Sequence, residues 1–234
     1  MSVTPLSARV TGVIRAPRAT FSAIANRPQW IDVLLLTTLV AFLCHAALLS
    51  TEVGKLALVD QWERTALAFG GTIDDARYQE LLALSEYGVP YAAANALISG
   101  PGLVVGLSGL LALVLPATLG VRLGFQQLLS IVANGGVILA LRQLIATPLQ
   151  YAGETLASPT TLARFAGAFD EGTLPARFLG AVDLFVIWWV VVLAIGVAVS
   201  THRPARRLAL GFAGAYVALA LLLAAVMVLT GGTA

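Results

Sequence analysis

Five apolar runs, each long enough to cross a lipid bilayer, restrict what this sequence can fold into. A membrane-spanning helix needs about 20 predominantly apolar residues, and the runs cover residues 31–49, 98–119, 125–149, 177–199 and 208–229. The composition agrees, since 59 % of the residues are apolar and only 11 % are charged, compared with about half and about a quarter in soluble domains. The sequence therefore predicts a single all-α integral membrane domain, a bundle of five transmembrane helices.

The third run carries an arginine, Arg142, well inside its apolar stretch. Each Leu, Ile, Val or Phe favours insertion by roughly 0.5 kcal/mol, whereas an arginine near the helix centre opposes insertion by about 2.5 to 3.5 kcal/mol. The run as a whole therefore inserts. Arg142 then needs a charged partner or a water-filled cavity at its depth in the membrane.

Two ionisable residues occur at matching depth in other predicted spans. His45 in the first span and Asp183 in the fourth lie, like Arg142, about five residues or roughly 7.5 Å to the outer side of the span midpoint. We therefore predict a buried polar site formed by His45, Arg142 and Asp183, in which Arg142 and Asp183 form an ion pair. The pattern leaves open whether the pair only fixes helix register or also serves function.

Other polar residues of the third span have a simpler interpretation. Asn134 and Gln126 or Gln127 are predicted to make interhelical hydrogen bonds, which contribute about 0.6 kcal/mol each in membranes. The chain has two histidines and one cysteine, and its histidines fall on opposite sides of the predicted membrane. These residues do not form a ligand set, so the sequence predicts neither a metal nor a cofactor.

The segment before the first span, residues 4–28, is predicted to be an interfacial amphipathic segment. Its apolar residues recur at helical spacing, Pro17 suits the first turn of a second short helix, and its charge comes from four arginines, Arg9, Arg15, Arg18 and Arg27. One apolar face beside a basic one is typical of a helix that lies on a membrane surface.

The first outer loop, residues 51–89, is predicted to form a helical hairpin. Two amphipathic stripes are separated by Gly70 and Gly71, Asp74 is a suitable N-cap, and Gly88 with Pro90 is predicted to end the second helix. The stripes must cover the span bundle, the lipid surface or another subunit, because large apolar surfaces are costly to leave in water.

The second outer loop, residues 151–176, is predicted to hold one short interfacial helix. Ser158 and Pro159 are a suitable N-cap and first-turn pair. The predicted apolar stripe consists of Leu162, Phe165, Ala166 and Phe169.

The distribution of charge predicts the orientation of the chain. The N-terminal segment and the turns at 120–124 and 201–207 carry eight arginines, whereas the two outer loops carry ten acidic residues. The positive-inside rule places the N-terminus and both turns in the cytoplasm. With five spans, the two loops and the C-terminus are then extracytoplasmic.

Two function classes are disfavoured by the sequence. The basic residues are scattered over short loops instead of being gathered on one face, which argues against nucleic-acid binding. The motif Gly106-Leu107-Ser108-Gly109 resembles the nucleophile motif of intramembrane rhomboid proteases, which needs a histidine within hydrogen-bond reach of the serine. The only later histidine, His202, lies in a loop. The sequence therefore predicts a protein that is not an enzyme.

Three stretches resemble bacterial members of the Yip (Ypt-interacting protein) domain family. They are the segment RAPRATFSAI before the first span, FQQLLSIVA at the start of the third, and DLFVIW followed by LAIG in the fourth. The resemblance implies a five-span bundle with a cytoplasmic N-terminus and no catalytic residues. Eukaryotic relatives are associated with small GTPases, but this sequence lacks their tyrosine- and glycine-containing signature. Some bacterial relatives look like accessory partners of export ATPases.

Two functional hypotheses follow. The first is a non-enzymatic scaffold or accessory subunit of the bacterial cytoplasmic membrane, which holds partner proteins such as an ABC-type exporter. The second is a small transporter or lipid-handling protein that uses the site of His45, Arg142 and Asp183. Five spans without evident inverted repeats disfavour an ordinary secondary transporter. Contact with membrane lipid is expected in both, and self-association stays open.

The predicted orientation can be tested with topology reporters. We expect reporters placed after Asp74 and after Asp170 to be external and a reporter near Arg203 to be internal, as the arginine asymmetry requires. Labelling of residue 203 from outside intact cells would contradict this orientation.

Overall fold

The computed structural model describes residues 4–25, 27–165 and 173–230. Five helices are long and apolar enough to cross a membrane, which confirms the predicted all-α five-span class. The helices are α1 (Leu6–Arg15), α2 (Pro17–Ile24), α3 (Ile31–Leu49), α4 (Glu52–Ala68), α5 (Asp75–Ser85), α6 (Gly88–Leu119), α7 (Phe125–Gly135), α8 (Val137–Ala152), α9 (Leu174–Ala181), α10 (Leu184–Thr201) and α11 (Ala205–Thr230). A 3₁₀ turn, Leu162–Phe165, precedes α9.

The predicted first span coincides with α3, but the second span was placed too late. Helix α6 begins at Gly88, ten residues before the predicted start at residue 98. Gly88 and Pro90 therefore open this helix and do not end the preceding one. Pro90 falls in the first turn, where a missing N–H costs no intrahelical hydrogen bond.

The fourth span is interrupted, which the sequence did not predict. The third span is one helix from Phe125 to Ala152, because helical hydrogen bonds continue through the turn at Gly136 that separates α7 from α8. The fourth breaks at Val182 and Asp183, so that its membrane-spanning part is α10 alone, Leu184–Thr201. Asp183 therefore precedes the spanning helix instead of lying inside it.

The contacts divide the chain into two compact units. The first unit comprises Met1–Ala41, Ala96–Leu141 and Phe185–Gly214, and the second comprises Phe42–Asn95, Arg142–Leu184 and Ala215–Ala234. Each unit therefore takes parts of several helices.

In the first unit, close packing between α7 and α10 depends on two glycines. A Cβ atom added at Gly196 would lie 2.7 Å from Ile131 Cγ2 and 3.2 Å from a ring carbon of Phe21, and one at Gly135 would lie 2.9 Å from Leu193 Cδ2. Phe21 on α2 is buried against this pair.

Arg9 is buried in the first unit and does not contribute to an exposed basic face. Its side chain is only 1 % exposed and forms an ion pair with Asp32. Its Nη1 also donates to the backbone carbonyl of Gln29 at 3.2 Å. The prediction that Arg9 supplies surface charge was therefore wrong, because α1 is held to the start of α3 by a buried charge. Arg15, Arg18 and Arg27 are exposed.

In the second unit, α4 and α5 contact each other and both begin at side-chain caps. Thr51 Oγ1 accepts a hydrogen bond from Gly54 N at 3.0 Å, and Asp74 Oδ1 accepts one from Arg77 N at 2.8 Å, so the predicted cap at Asp74 is confirmed. Lys55 donates to Glu86 and Glu52. The hydrogen bond to Glu86 makes the largest contribution, followed by that to Glu52, and together they raise the pKa of Lys55 above its ordinary value. Lys55 is therefore kept cationic.

The predicted helix at residue 158 differs from the structure. Ser158 does not cap a helix, since the 3₁₀ turn begins only at Leu162. The Ser158 hydroxyl donates to Asp183 Oδ2 instead. Ala166 and Phe169, and the side chain of Phe165, lie outside the described residues.

We expect Gly196→Ala to destabilise the protein by about 1 to 3 kcal/mol, the usual cost of overpacking a filled core. The new methyl group would press on Ile131, a β-branched side chain whose χ1 angle is restricted in a helix. Thermal unfolding in detergent measures the effect. Gly211→Ala is the control, because no atom lies within 4 Å of the added carbon, and an equal loss in both variants would refute the packing argument.

Candidate functional site

The polar site is built around the break between α9 and α10. Helix α9 ends at Ala181, and Val182 is extended, with φ −95° and ψ 111°. Residues at such a break have backbone N–H and C=O groups without helical partners, and buried groups of this kind must find other partners.

The segment between α8 and α9 supplies part of those partners. Leu162 N donates to Val182 O at 2.9 Å, and Leu184 N donates to Thr160 O at 3.1 Å. This is the pattern of an isolated antiparallel bridge, which pairs Thr161 with Asp183. The break is thus paired like a short strand.

Tyr216 on α11 satisfies two further backbone groups at the break. Its hydroxyl accepts a hydrogen bond from Asp183 N at 3.0 Å and donates one to Ala181 O at 2.9 Å. One phenol oxygen therefore bridges the last residue of α9 and the residue before α10.

The carboxylate of Asp183 is the electrostatic centre of the site. Its Oδ2 accepts hydrogen bonds from Arg142 Nε at 2.8 Å, Ser158 Oγ at 2.8 Å and Thr160 Oγ1 at 2.7 Å. The Asp183 side chain is 5 % exposed and that of Arg142 is 28 % exposed. A buried anion is tolerated when it is both paired and hydrogen-bonded, and this network provides both.

Arg142 also lines a cavity of about 590 Å³ in the second unit. Asp60 and Arg64 of α4 and Ser158 are part of the same lining. Arg142 is therefore both the counter-charge of Asp183 and part of the cavity wall.

The remaining predicted residues have different surroundings. His45 is half-buried on α3, and its membership of the site stays a prediction. Asn134 is fully buried, and its Nδ2 donates to Gln29 O at 2.7 Å and to Ser130 O at 2.8 Å. Gln127 Nε2 donates to Ala25 O at 3.3 Å, whereas Gln126 is exposed. Asn134 and Gln127 thus hold the connection between α2 and α3.

Several participants were not predicted from the sequence. Ser158 and Thr160 lie in a loop that resembles a helix start, and nothing local indicates that their hydroxyls reach Asp183. The sequence contains one weak indication that Tyr216 has a polar partner, since Tyr216 is the only ionisable group of the fifth predicted span. Among the described residues, no group of three His, Cys, Asp or Glu side chains is placed to hold a metal ion.

These observations define a polytopic helical membrane protein in which a buried ion pair supports a broken span. The Yip1 domain family matches residues 11–227, and the chain belongs to this family. No curated protein and no solved structure matched the chain.

We expect Asp183→Ala to destabilise the protein by about 3 to 5 kcal/mol, because it leaves a buried arginine without its counter-charge. Replacing both Arg142 and Asp183 with apolar residues should recover much of this loss. Unfolding in detergent measures both effects. Asp60→Ala is the control, since Asp60 pairs with an exposed Arg64 and such pairs contribute at most about 1 kcal/mol. An unchanged stability of Asp183→Ala would refute the role of the pair.

Tyr216→Phe should destabilise by about 1 to 3 kcal/mol, because it leaves the N–H of buried Asp183 and the C=O of half-buried Ala181 without the shared hydroxyl. Tyr151→Phe is the matched control, since Tyr151 is half exposed. Equal stability of the two variants would show that the hydroxyl bridge is not needed at the break.

Proposed function

We propose that this chain is a non-enzymatic membrane scaffold or accessory subunit that binds a partner protein through α4, α5 and the residues that follow each helix. The observation that carries this proposal is a set of large apolar side chains left exposed on these extramembrane helices. Phe69 is 53 % exposed and Tyr87 is 66 % exposed, and Leu67 and Leu84 are exposed beside them. Exposed apolar clusters of this kind mark interaction sites.

The arrangement of the buried charges supports a structural role for them. Asp183 is engaged with Arg142 and two hydroxyl groups, and Arg9 is engaged with Asp32 and Gln29. Both networks tie neighbouring helices together. Helices that are tied together within a unit and that present apolar side chains suit a protein that holds others in place.

The partner that we favour is a membrane protein complex with an extracytoplasmic part, such as an ABC-type exporter of the bacterial cytoplasmic membrane. This choice rests on the resemblance to bacterial relatives and on the predicted orientation with a cytoplasmic N-terminus, which places α4 and α5 outside. A second copy of the chain and the lipid surface are the competing occupants of the apolar residues.

Photo-crosslinking in intact cells tests the proposal. A photoreactive residue at position 69 should capture one defined protein, whereas capture of lipid or of a second copy would contradict the proposal. Phe69→Ala with Tyr87→Ala should then lower recovery of that partner in mild detergent without changing the melting temperature. Phe125→Ala is the control, because Phe125 is 46 % exposed on α7, outside the proposed surface.

A transporter or lipid-handling function is the second candidate, and one observation favours it. Arg142 lines the cavity of about 590 Å³, and a guanidinium is a group that can bind the acidic part of a lipid or solute. If this candidate is right, Arg142→Gln with Asp183→Asn should fold and keep its protein partner but lose a co-purifying lipid detected by mass spectrometry.

A further inference from the structure

A second cavity, of about 640 Å³, lies in the first unit and is unrelated to the site of Arg142 and Asp183. Its wall comes from α2, α7 and the end of α10 with the turn that follows. The polar side chains of the lining are Arg18, Ser22, Gln127, Ser200, His202 and Arg203. The lining thus carries two guanidinium groups and an imidazole, and none of the described residues that form it is a carboxylate.

The end of α10 places two of these groups at the cavity. Arg203 N donates to Ala198 O at 3.1 Å, and the intervening His202 has a positive φ of 52°. This is the Schellman arrangement, in which the residue at positive φ is usually glycine. Gly70 holds that position after α4. A histidine here adopts an unfavourable backbone conformation, and such conformations cluster at functional sites.

Other side chains of the cavity are held by hydrogen bonds. Arg203 Nη2 donates to Leu119 O at 3.4 Å. Gln127 donates to Ala25 O and accepts from Gly124 N at 3.1 Å. Groups that are already fixed lose little freedom when a ligand arrives.

We propose that this cavity binds a phosphate group. Arginine forks match the geometry of phosphate oxygens, and Ser200 adds a hydroxyl donor. The turn at 201–207 falls on the predicted cytoplasmic side, where basic pockets between membrane helices bind anionic headgroups. The phosphate can belong to an anionic phospholipid or to a free phosphorylated molecule, and both sources share the chemistry of the site.

Native mass spectrometry of the full chain in a neutral detergent tests the proposal. We expect retention of added phosphatidylglycerol over phosphatidylcholine. Each arginine near an anionic group contributes about fivefold to binding. Arg18→Gln with Arg203→Gln should therefore weaken phosphatidylglycerol binding by about 25-fold. Arg122→Gln with Arg207→Gln is the matched control, since both residues are exposed arginines of the same predicted face outside the lining.

Two measurements keep the test decisive. If the double variant does not fold, Arg18→Gln alone should weaken binding about fivefold, and His202→Gly should weaken it while leaving stability equal or higher, because glycine adopts positive φ at no steric cost.

Competition by inorganic phosphate or glycerol phosphate would identify a free molecule as the source, and its failure would identify the lipid. An equal loss in the control variant, or equal retention of phosphatidylcholine, would overturn the proposal.

Discussion

The need of buried backbone groups for hydrogen-bond partners is the constraint on which the rest of this structure depends. A continuous helix satisfies its own backbone, but the break at Val182 and Asp183 leaves N–H and C=O groups that need other partners. The segment 158–162 and the Tyr216 hydroxyl provide them. Residues 158–162 are therefore a structural part of the site and not a simple connection, although they lie between two predicted spans.

The buried charges of this chain, like its buried backbone groups, have partners close by. Asp183 is buried with three donors on one oxygen, and Arg9 is buried with Asp32 and the carbonyl of Gln29. Both residues join elements that are distant in sequence. Since a buried charge without its partner costs several kcal/mol, each pair penalises any arrangement that separates the elements. The pairs therefore specify which segments pack together more than they add to stability.

The long spans could be predicted from the sequence because hydropathy depends on composition alone. Helix α3 begins and ends where the apolar run does, and Asp74 caps α5 as its position suggests. The break at Val182 could not be predicted, because this residue lies in a stretch that reads as a continuous span. The predicted depths paired Arg142 with Asp183 as the structure does, but the prediction placed Asp183 inside a 23-residue helix, whereas Asp183 precedes α10. Arg9 was wrongly predicted to supply surface charge, because helical periodicity identifies the polar face of a helix but does not show which residues cover that face.

The pair of Arg142 and Asp183 joins a structural contact to an accessible cation. A carboxylate that receives two hydroxyl donors besides the arginine keeps hydrogen-bond partners even when the guanidinium turns toward the adjacent cavity. The side chain of Arg142 is more exposed than that of Asp183, so an approaching anion would meet the cation before the carboxylate. Because an arginine has several N–H donors in a planar fork, it can hold Asp183 through Nε and still present a second edge. The site therefore combines a fixed anion, Asp183, with an accessible cation, Arg142. Substitutions at these two residues can separate the effect on stability from the effect on binding.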